Sequence, residues 1–258
     1  MTNLDTSKLQ VVILAAGKGT RMESADPKAL SLLRGKYFLK HILDTVESLG
    51  LELKPVIVVG HKKERIFEEL GRGLNYAHQT EQLGTGHAVL SAKANLDHAH
   101  EDILVLSTDQ PLTSKETLAA LIDTHLKNKA TVTLATALLP DFEDWRKGVT
   151  RFGRIVRDRD GLLERIVEYK DANDEEIELR EVNPAVYVFS AKWLWSNIDN
   201  LKNENTQKEY YITDLLHVAK RQGERVVVAP MADILEVLQP NTKDDLAVLE
   251  NLALNRPI

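Results

Sequence analysis

Short apolar runs alternate along the chain with stretches in which apolar residues recur every three or four positions. The runs at residues 11–15, 56–59 and 103–106 are nearly continuous in aliphatic and β-branched residues, as in strands buried on both faces. The intervening periodicity predicts helices. This alternation is typical of βαβ units, and it predicts an α/β fold with a mainly parallel, mixed sheet flanked by helices.

The remaining elements follow from the same two periodicities. Helices are predicted at about residues 37–49, 62–70, 84–96, 113–126, 211–222 and 242–254. Thr113 and Glu116 form the pattern of a capping box at the start of the fourth helix. Further strands are predicted at residues 131–137, 182–189 and 225–229.

The pattern changes after Thr150. The stretch GRIVRDRDGLLERIVEYK predicts a hairpin that turns at Asp160-Gly161. This predicts a small antiparallel lobe set against the parallel sheet. Because the sequence contains no internal repeat, low-complexity tract or linker, we expect one domain over residues 1–258, with its parts at about 9–140, 141–230 and 231–258.

Composition excludes several classes of protein. A chain of 258 residues is long enough for one large domain. Its 39 acidic and 33 basic residues give a net charge of −6, which argues against a nucleic-acid-binding surface. The absence of cysteine excludes thiol catalysis and disulfides. The N-terminus is polar and no apolar run approaches about 18 residues, so we expect a soluble, cytoplasmic protein with no membrane partner.

The first strand leads into a glycine-bearing, basic loop in the stretch VVILAAGKGTRM. A Walker A loop would need glycine at Val12, and a dinucleotide-binding loop would need one at Met22, so neither design fits. Small residues after the strand let backbone N–H groups approach a ligand closely, and cations follow them. We therefore interpret the loop as a phosphate-binding site, the alternative being an ordinary βα turn with solvated basic residues. The residues concerned are Ala15, Ala16, Gly17, Gly19, Arg21 and Lys28.

A second stretch, HQTEQLGTGHAV, places two glutamines before a probable helix start. The amides of Gln79 and Gln82 can each donate and accept hydrogen bonds, which suits the imide edge of uracil or thymine. Gly84 and Gly86 flank Thr85 where exposed N–H groups favour a polar or anionic partner. The alternative is a glycine-rich helix cap beside two surface glutamines.

A third feature is Asp109, which follows the buried strand of ILVLSTDQP. Ligands of open parallel sheets bind beyond the carboxyl ends of the strands, and a carboxylate is the hard oxygen ligand that Mg²⁺ prefers. Asp109 is therefore a candidate metal ligand. An aspartate before Gln-Pro also suits a plain turn.

Several blocks of the chain carry a family resemblance between about Val11 and Glu250. They are LAAGKGTRM with Pro27-Lys28, QTEQLGTGHA, the strand-end Asp109, GRI at residues 153–155, IVEYKDA at residues 166–172 and EYYITD at residues 209–214. In this order they resemble the uridylyltransferase domain of bacterial N-acetylglucosamine-1-phosphate uridyltransferases, in the sugar nucleotidyltransferase superfamily. The resemblance implies a Rossmann-like nucleotidyltransferase fold, in which UTP and a sugar 1-phosphate give a UDP-sugar and pyrophosphate with Mg²⁺.

The resemblance also implies roles for individual residues. Arg21, Lys28 and Asp109 are the implied catalytic residues, and Asp109 and Asn241 the implied Mg²⁺ ligands. On the sequence alone Asn241 is an N-cap or turn residue. The implied substrate contacts are Leu14, Ala15, Ala16, Gly17, Gly19, Gln79, Gln82, Gly84 and Thr85 for the nucleotide, and Gly153, Glu168 and Asn183 for the sugar, with Ser107 and Asn241 as further implied substrate-binding residues.

The chain departs from the family at positions near the implied sugar site. Ser107-Thr108 precedes Asp109 where the family has Tyr-Gly, and Pro184-Ala185 follows Asn183 where it has Thr-Gly. Another sugar 1-phosphate, dTTP in place of UTP, or a nucleotide-sugar-binding regulator without activity are therefore alternatives. The family's C-terminal β-helix of hexapeptide repeats performs acetyl transfer. The chain to Ile258 has no such repeats, so we expect neither acetyltransferase activity nor a trimer built through them.

Overall fold

The computed structural model describes residues 5–17, 26–97 and 100–254. Its strands are β1 (Leu9–Leu14), β2 (Leu32–Leu33), β3 (Lys36–Tyr37), β4 (Val56–Val59), β5 (Asn75–His78), β6 (Asp102–Ser107), β7 (Val132–Leu138), β8 (Gly153–Arg157), β9 (Leu163–Val167), β10 (Glu181–Asn183), β11 (Tyr187–Ser190) and β12 (Val226–Pro230). Its helices are α1 (Phe38–Ser48), α2 (Lys63–Leu70), α3 (Thr85–Ala92), α4 (Lys115–Asn128), α5 (Asp174–Ile177), α6 (Ala191–Asn197), α7 (Asp214–Arg221) and α8 (Lys243–Ala253).

Ten of these strands form one mixed sheet. Its order is β5-β4-β1-β6-β11-β7-β10-β8-β9, and β12 pairs with β7. The neighbours among β5, β4, β1 and β6 are parallel, as are β7 and β12, whereas β9, β10 and β11 run against their neighbours. Seven of the ten strands thus point the same way, and the predicted mixed, mainly parallel sheet is confirmed.

Helices cover both faces of the sheet. Along β1, Val11 and Ile13 pack into the core beneath α1 and α4, whereas Val12 packs into the opposite core beneath α3 and α7. All three side chains are fully buried. Burial on both faces explains why β1 is a continuous apolar run in the sequence. Because β1 and β6 are parallel, their carboxyl ends lie at the same edge of the sheet. Within the described ranges, no helix has the length and hydropathy needed to cross a membrane.

Most predicted elements are confirmed within two or three residues, and the hairpin forms with β8 and β9 as its strands. The predicted capping residue is wrong, because Ser114 rather than Thr113 accepts a hydrogen bond from the Thr117 N–H at the start of α4. Thr113 instead donates to the backbone carbonyl of Gln110. The predicted helix at 84–96 ends as α3 at Ala92 and continues as a 3₁₀ turn.

The single strand predicted over residues 182–189 is also wrong, because it is divided into β10 and β11. Both parts lie against β7, but the register shifts between the Val182–Ala137 and Tyr187–Leu134 pairs. Pro184 lacks a backbone donor, and Ala185 has a left-handed φ of 60°. These two residues therefore form a bulge that faces the site described below.

Several elements were not predicted from the sequence, namely β5, the short β2–β3 hairpin and the helices α5 and α6. β5 has the sequence NYAH, which contains no apolar run, and it lies at the edge of the sheet beside β4. The helix predicted from residue 211 begins instead at Asp214. Before it, the backbone of Tyr210 is bound to another segment, since its N–H donates to the Leu83 carbonyl and its own carbonyl accepts from Gly86 N–H.

Candidate active site

Two adjoining cavities open where the strands β1 and β6 end. The large compartment has a volume of about 560 Å³ and is lined by Leu14, Ala16, Gly17 and Asp109, together with the loop at residues 79–85. The small compartment, of about 230 Å³, is lined by residues of the antiparallel lobe, among them Gly153, Glu168 and Asn183. The residues that line both are Thr85, Ala185, Tyr187, Glu209, Ile212 and Gln239.

The charged centre of the site joins three distant parts of the chain. The Lys28 ammonium lies 3.2 Å from Asp109 Oδ2 and 3.0 Å from Asn241 Oδ1. The Lys28 side chain is only 10% exposed. Asp109 Oδ1 is buried and has no hydrogen-bond partner among the described residues. The two candidate metal ligands therefore converge on one cationic group, and a carboxylate oxygen beside them is left to bind something else.

Backbone contacts fix the ends of β1 and β6. The Leu14 carbonyl accepts hydrogen bonds from Thr108 N–H and from the Thr108 hydroxyl, at 3.1 and 3.2 Å. The N–H of Ala15 donates to the Val58 carbonyl. The loop after β1 thus starts from a fixed point, and a side chain at Gly17 would meet no atom of the described residues within 4 Å. Open space beside a backbone of small residues allows close approach of a ligand.

The two glutamines are held differently from one another. Gln79 is 3% exposed, and its amide nitrogen lies 3.1 Å from both the Gly84 carbonyl and His87 Nδ1. Its two donors are therefore occupied, and it offers a ligand its carbonyl oxygen alone. Gln82 donates weakly to the Gln79 backbone carbonyl at 3.3 Å. Both side chains line the large compartment.

The glycines around Thr85 allow two segments to meet. Gly84 has φ +106°, and a Cβ there would lie 2.7 Å from the Tyr210 carbonyl oxygen. A Cβ at Gly86 would lie 2.5 Å from Leu201 Cδ1 and 3.0 Å from the same oxygen. The Thr85 hydroxyl accepts from Ile212 N–H at 3.0 Å. The loop and the segment at residues 209–212 therefore dock backbone to backbone, which places Glu209 between the compartments.

Glu168 lies at the wall of the small compartment rather than on the surface. Its Oε1 accepts a hydrogen bond from the Thr213 hydroxyl at 3.0 Å. Burial raises the pKa of this carboxyl, the charges of Asp214 and Asp171 raise it further, and the Thr213 hydrogen bond opposes both. A half-buried acceptor with one donor already attached is suited to receive a hydroxyl of a ligand.

Asn183 and Tyr187 hold the bulge between β10 and β11. Asn183 is 6% exposed; its Nδ2 donates to the Tyr187 hydroxyl at 2.6 Å, and its Oδ1 accepts from Ala185 N–H at 3.0 Å. Burial raises the pKa of Tyr187. Asn183 thus stabilises the bulge as well as lining the small compartment.

The structure brings most of the predicted site residues to this cleft. Ser107 lines the large compartment, and Ala15 lies beneath it at 4% exposure. Gly19 and Arg21 lie outside the described residues. Several lining residues were given no role from the sequence, namely Arg151, Phe152, Tyr187, Glu209, Tyr211, Thr213 and Gln239. Glu209, Tyr211 and Thr213 lie in the EYYITD block, which was the available signal; Tyr187 lies in an apolar strand and gave none.

Comparison with known proteins identifies the kind of domain. Residues 11–219 match the family described as MobA-like NTP transferase domain. The chain is 40% identical over 245 residues to the bifunctional protein GlmU of Lactococcus lactis subsp. cremoris (strain SK11), covering 95% of the chain and 52% of that protein. It is 41% identical over 239 residues to the bifunctional protein GlmU of Exiguobacterium sibiricum, covering 93% of the chain and 51% of that protein. The chain spans about half the length of these relatives.

Solved structures share the fold. UDP-glucose pyrophosphorylase complexed with UDP-glucose superposes with a TM-score of 0.71 at 16% identity, covering 94% of this chain and 97% of that one. The 4-diphosphocytidyl-2C-methyl-D-erythritolsynthase of Anaerococcus prevotii superposes with a TM-score of 0.65 at 16% identity, covering 98% of this chain and 100% of that one. The predicted Rossmann-like nucleotidyltransferase fold is therefore confirmed.

Proposed function

Because the chain belongs to the family of MobA-like NTP transferase domains, we propose that it is a uridylyltransferase that converts UTP and N-acetylglucosamine 1-phosphate to UDP-N-acetylglucosamine and pyrophosphate. The observation that carries this proposal is the convergence of Asp109, Lys28 and Asn241 beside a two-part cleft. The identity to GlmU proteins over most of the chain supports the choice of reaction.

The two compartments suit the two substrates. In the large compartment, the small residues after β1 lie beside Gln79, whose carbonyl oxygen suits the N3–H of uracil. In the small compartment, the carboxylate of Glu168 suits sugar hydroxyls. We assign UTP to the large compartment and the sugar to the small one. We place the reacting phosphates at the junction formed by Asp109, which lines the large compartment, and by Lys28 and Asn241, which are joined to it by the hydrogen bonds of Lys28.

The side chains at this junction fit a divalent cation. Asp109 and Asn241 offer carboxylate and amide oxygens, and Asp109 Oδ1 is buried without a partner among the described residues. In those ranges no group of three or more His, Asp or Glu side chains is arranged around a metal. Mg²⁺ commonly takes one or two protein oxygens and completes its shell with water and phosphate oxygens. When bound there, Mg²⁺ would neutralise phosphate charge as a Lewis acid.

The chain's own residues have mainly a positioning and electrostatic role. The second pKa of a sugar 1-phosphate is about 6, so its oxygen is an anionic nucleophile at neutral pH and no general base is required. The difficulty is the mutual repulsion of two charged phosphates. Lys28, held at the junction, would stabilise charge on the α-phosphate and on the departing pyrophosphate during in-line attack. Arg21 is assigned the same duty by the family resemblance.

A pyrophosphate-release screen tests this proposal. The purified chain is incubated with Mg²⁺, with UTP or dTTP, and with a panel of sugar 1-phosphates that includes N-acetylglucosamine, glucosamine, glucose and glucuronic acid 1-phosphates. We expect release with UTP and N-acetylglucosamine 1-phosphate above all other pairs. A stronger signal with another pair would correct the substrate, and no release with any pair would refute the reaction.

A further inference from the structure

The turn at residues 150–152 forms part of the small compartment and is held by an unusual buried arginine. Arg154 is fully buried, and its guanidinium donates hydrogen bonds to the backbone carbonyls of Thr150, Phe152 and Ile177. It also lies over the rings of Phe142 and Tyr169, at 4.6 and 5.5 Å from their centroids. Burial without an acidic hydrogen-bond partner lowers its pKa. The Arg154 guanidinium therefore fixes the backbone on both sides of the residue between Thr150 and Phe152.

That residue is Arg151, which lines the small compartment. Across the described ranges, no hydrogen bond, ion pair or ring contact occupies its guanidinium, in contrast to Arg146, Arg157 and Arg165, which pair with carboxylates. A free guanidinium on a rigid turn is a prepared binding group, because its five donors lie in a fixed plane.

Arg151 is the one cationic side chain among the described residues that line the compartment, whose neutral donors include the Tyr211 hydroxyl, which accepts from Gln207, and the Gln239 amide. Glu168 and Glu209 offer carboxylates, and both polar atoms of the Asn183 amide have partners within the chain. Thr213 donates its hydroxyl to Glu168. A sugar substituent that can only accept hydrogen bonds would therefore find its charged donor in Arg151.

The bulge beside Asn183 supplies no free donor either, because the Ala185 N–H already donates to Asn183 Oδ1. Pro184 has neither the hydroxyl nor the N–H that threonine would supply beside Asn183. Asp109 lines only the large compartment and Arg151 only the small one, so we place the transferred phosphate away from the wall that carries Arg151. The group facing Arg151 is then a ring substituent rather than the phosphate.

We propose that Arg151 is a specificity-determining residue that binds a planar oxygen on a substituent of the sugar ring, either the carbonyl of an acylamino group or a carboxylate. A guanidinium fork matches such oxygens better than it matches a ring hydroxyl. This inference rests on the proposed function, because it takes the small compartment to hold the sugar.

Calorimetry with nucleotide sugars tests the inference without requiring turnover. The probes are UDP-N-acetylglucosamine, whose sugar carries an acyl carbonyl, UDP-glucuronic acid, whose sugar carries a carboxylate, and UDP-glucose, whose sugar carries neither group. The variants are Arg151→Ala and Arg151→Lys, and the control is Arg159→Ala, which removes an exposed arginine at the hairpin tip. Thermal unfolding of each variant checks that the fold is retained.

We expect Arg151→Ala to weaken binding of the favoured probe about tenfold, as for the loss of a hydrogen bond to a charged donor. Lysine keeps the charge without the fork and should restore binding in part. The affinity of Arg151→Ala for UDP-glucose should differ from that of the wild-type protein by less than about twofold. The control Arg159→Ala should bind all three probes with unchanged affinity. Weaker binding of UDP-N-acetylglucosamine would identify the bound group as the carbonyl, and weaker binding of UDP-glucuronic acid would identify it as the carboxylate.

Equal changes for all three probes, or no change for any, would overturn the inference. Pyrophosphate release is measured in parallel, so the two proposals fail separately. A wild-type chain that binds a probe through Arg151 but releases no pyrophosphate refutes the reaction alone, whereas release without any dependence of binding on Arg151 refutes the inference alone. Absence of binding for all three probes overturns the inference, and pyrophosphate release then decides the reaction by itself.

Discussion

The two compartments of the cleft are built by different means. The large one is formed from loops that leave parallel strands, and its shape depends on backbone contacts among small residues such as Ala15, Ala16 and Gly84. The small one lies on the antiparallel lobe, and its walls carry charged side chains, among them Arg151 and Glu168. Substitution of a wall side chain changes one contact, whereas substitution in the loops moves the backbone.

This difference teaches where variation is tolerated. A site made from backbone has little freedom to change, because most side chains added there would collide with a neighbouring segment. A site made from side chains can exchange one donor or acceptor for another without altering the fold. We therefore expect the choice of nucleotide to be fixed by the large compartment and the choice of sugar to be adjustable in the small one.

The largest effect is expected at Asp109, which lines the large compartment and contacts Lys28. Asp109→Ala should lower kcat at least about 10³-fold, because several kcal/mol of charge stabilisation is lost and each 1.4 kcal/mol is about tenfold. The unfolding midpoint should also fall, because Lys28, which is only 10% exposed, loses the carboxylate 3.2 Å from its ammonium, so kcat is measured well below that midpoint. Asp160→Ala, at the exposed hairpin tip, is the control. Near-normal Mg²⁺-dependent turnover of Asp109→Ala would contradict this role.

Lys28→Ala should come next. Loss of one charge-stabilising group at the junction is expected to lower kcat by about 10²–10³-fold. The KM values for both substrates should change less than kcat, because the charge develops in the transition state. Steady-state kinetics with each substrate varied in turn measures this. A change confined to the KM of the sugar 1-phosphate would move Lys28 from the junction to sugar binding.

Gly84→Ala tests the dependence of the large compartment on backbone. The new Cβ would lie 2.7 Å from the Tyr210 carbonyl oxygen at a φ of +106°. The variant should unfold with a free energy lower by about 1–3 kcal/mol, and its KM for UTP should rise. Gly71→Ala is the control, since Gly71 has φ +82° but open space around it. Equal losses in the two variants would show that the contact with Tyr210 contributes nothing.

Glu168→Gln tests the charged wall and should have the smallest effect on stability. Burial raises the pKa of this carboxyl above its ordinary value of 4.5. The folded protein therefore holds the proton more tightly than the unfolded chain, so the contribution of Glu168 to the free energy of unfolding falls as the pH rises from 4.5 through the raised value.

The glutamine variant lacks this titration, so it should be more stable than the wild-type protein at pH 7, and the difference should disappear as the pH falls toward 4.5. Chemical unfolding of both proteins across that pH range shows whether the substitution raises or lowers the free energy of unfolding. The KM for the sugar 1-phosphate should rise while that for UTP stays constant. A rise in both KM values would contradict the assignment of Glu168 to sugar binding alone.

The sequence was most informative where burial was complete. β1, β4 and β6 were predicted because both faces of each strand are covered and the residues at 11–14, 56–59 and 103–106 are all apolar. β5 was missed because its edge position leaves the polar residues of NYAH exposed or half-buried. The break between β10 and β11 required knowing that Ala185 is left-handed, which the surrounding apolar pattern conceals.

The site was less accessible to sequence reasoning. Asp109 could be singled out from its place after a buried strand, but nothing in the local pattern connects it with Asn241, which only the family resemblance suggested. The burial of Arg154 could not be foreseen, because arginine is rarely buried and its partners here are backbone carbonyls of a turn. The division of the chain into parts and the residue roles stay predictions.

Metal binding tests the central claim most directly. Mn²⁺ binding to the wild-type chain with UDP-N-acetylglucosamine, followed by electron paramagnetic resonance, is compared with that of Asp109→Ala and Asn241→Ala. The account predicts a nucleotide-dependent site in the wild-type protein that is lost or greatly weakened in both variants, because one cation needs both oxygens. Undiminished Mn²⁺ binding in either variant would contradict it.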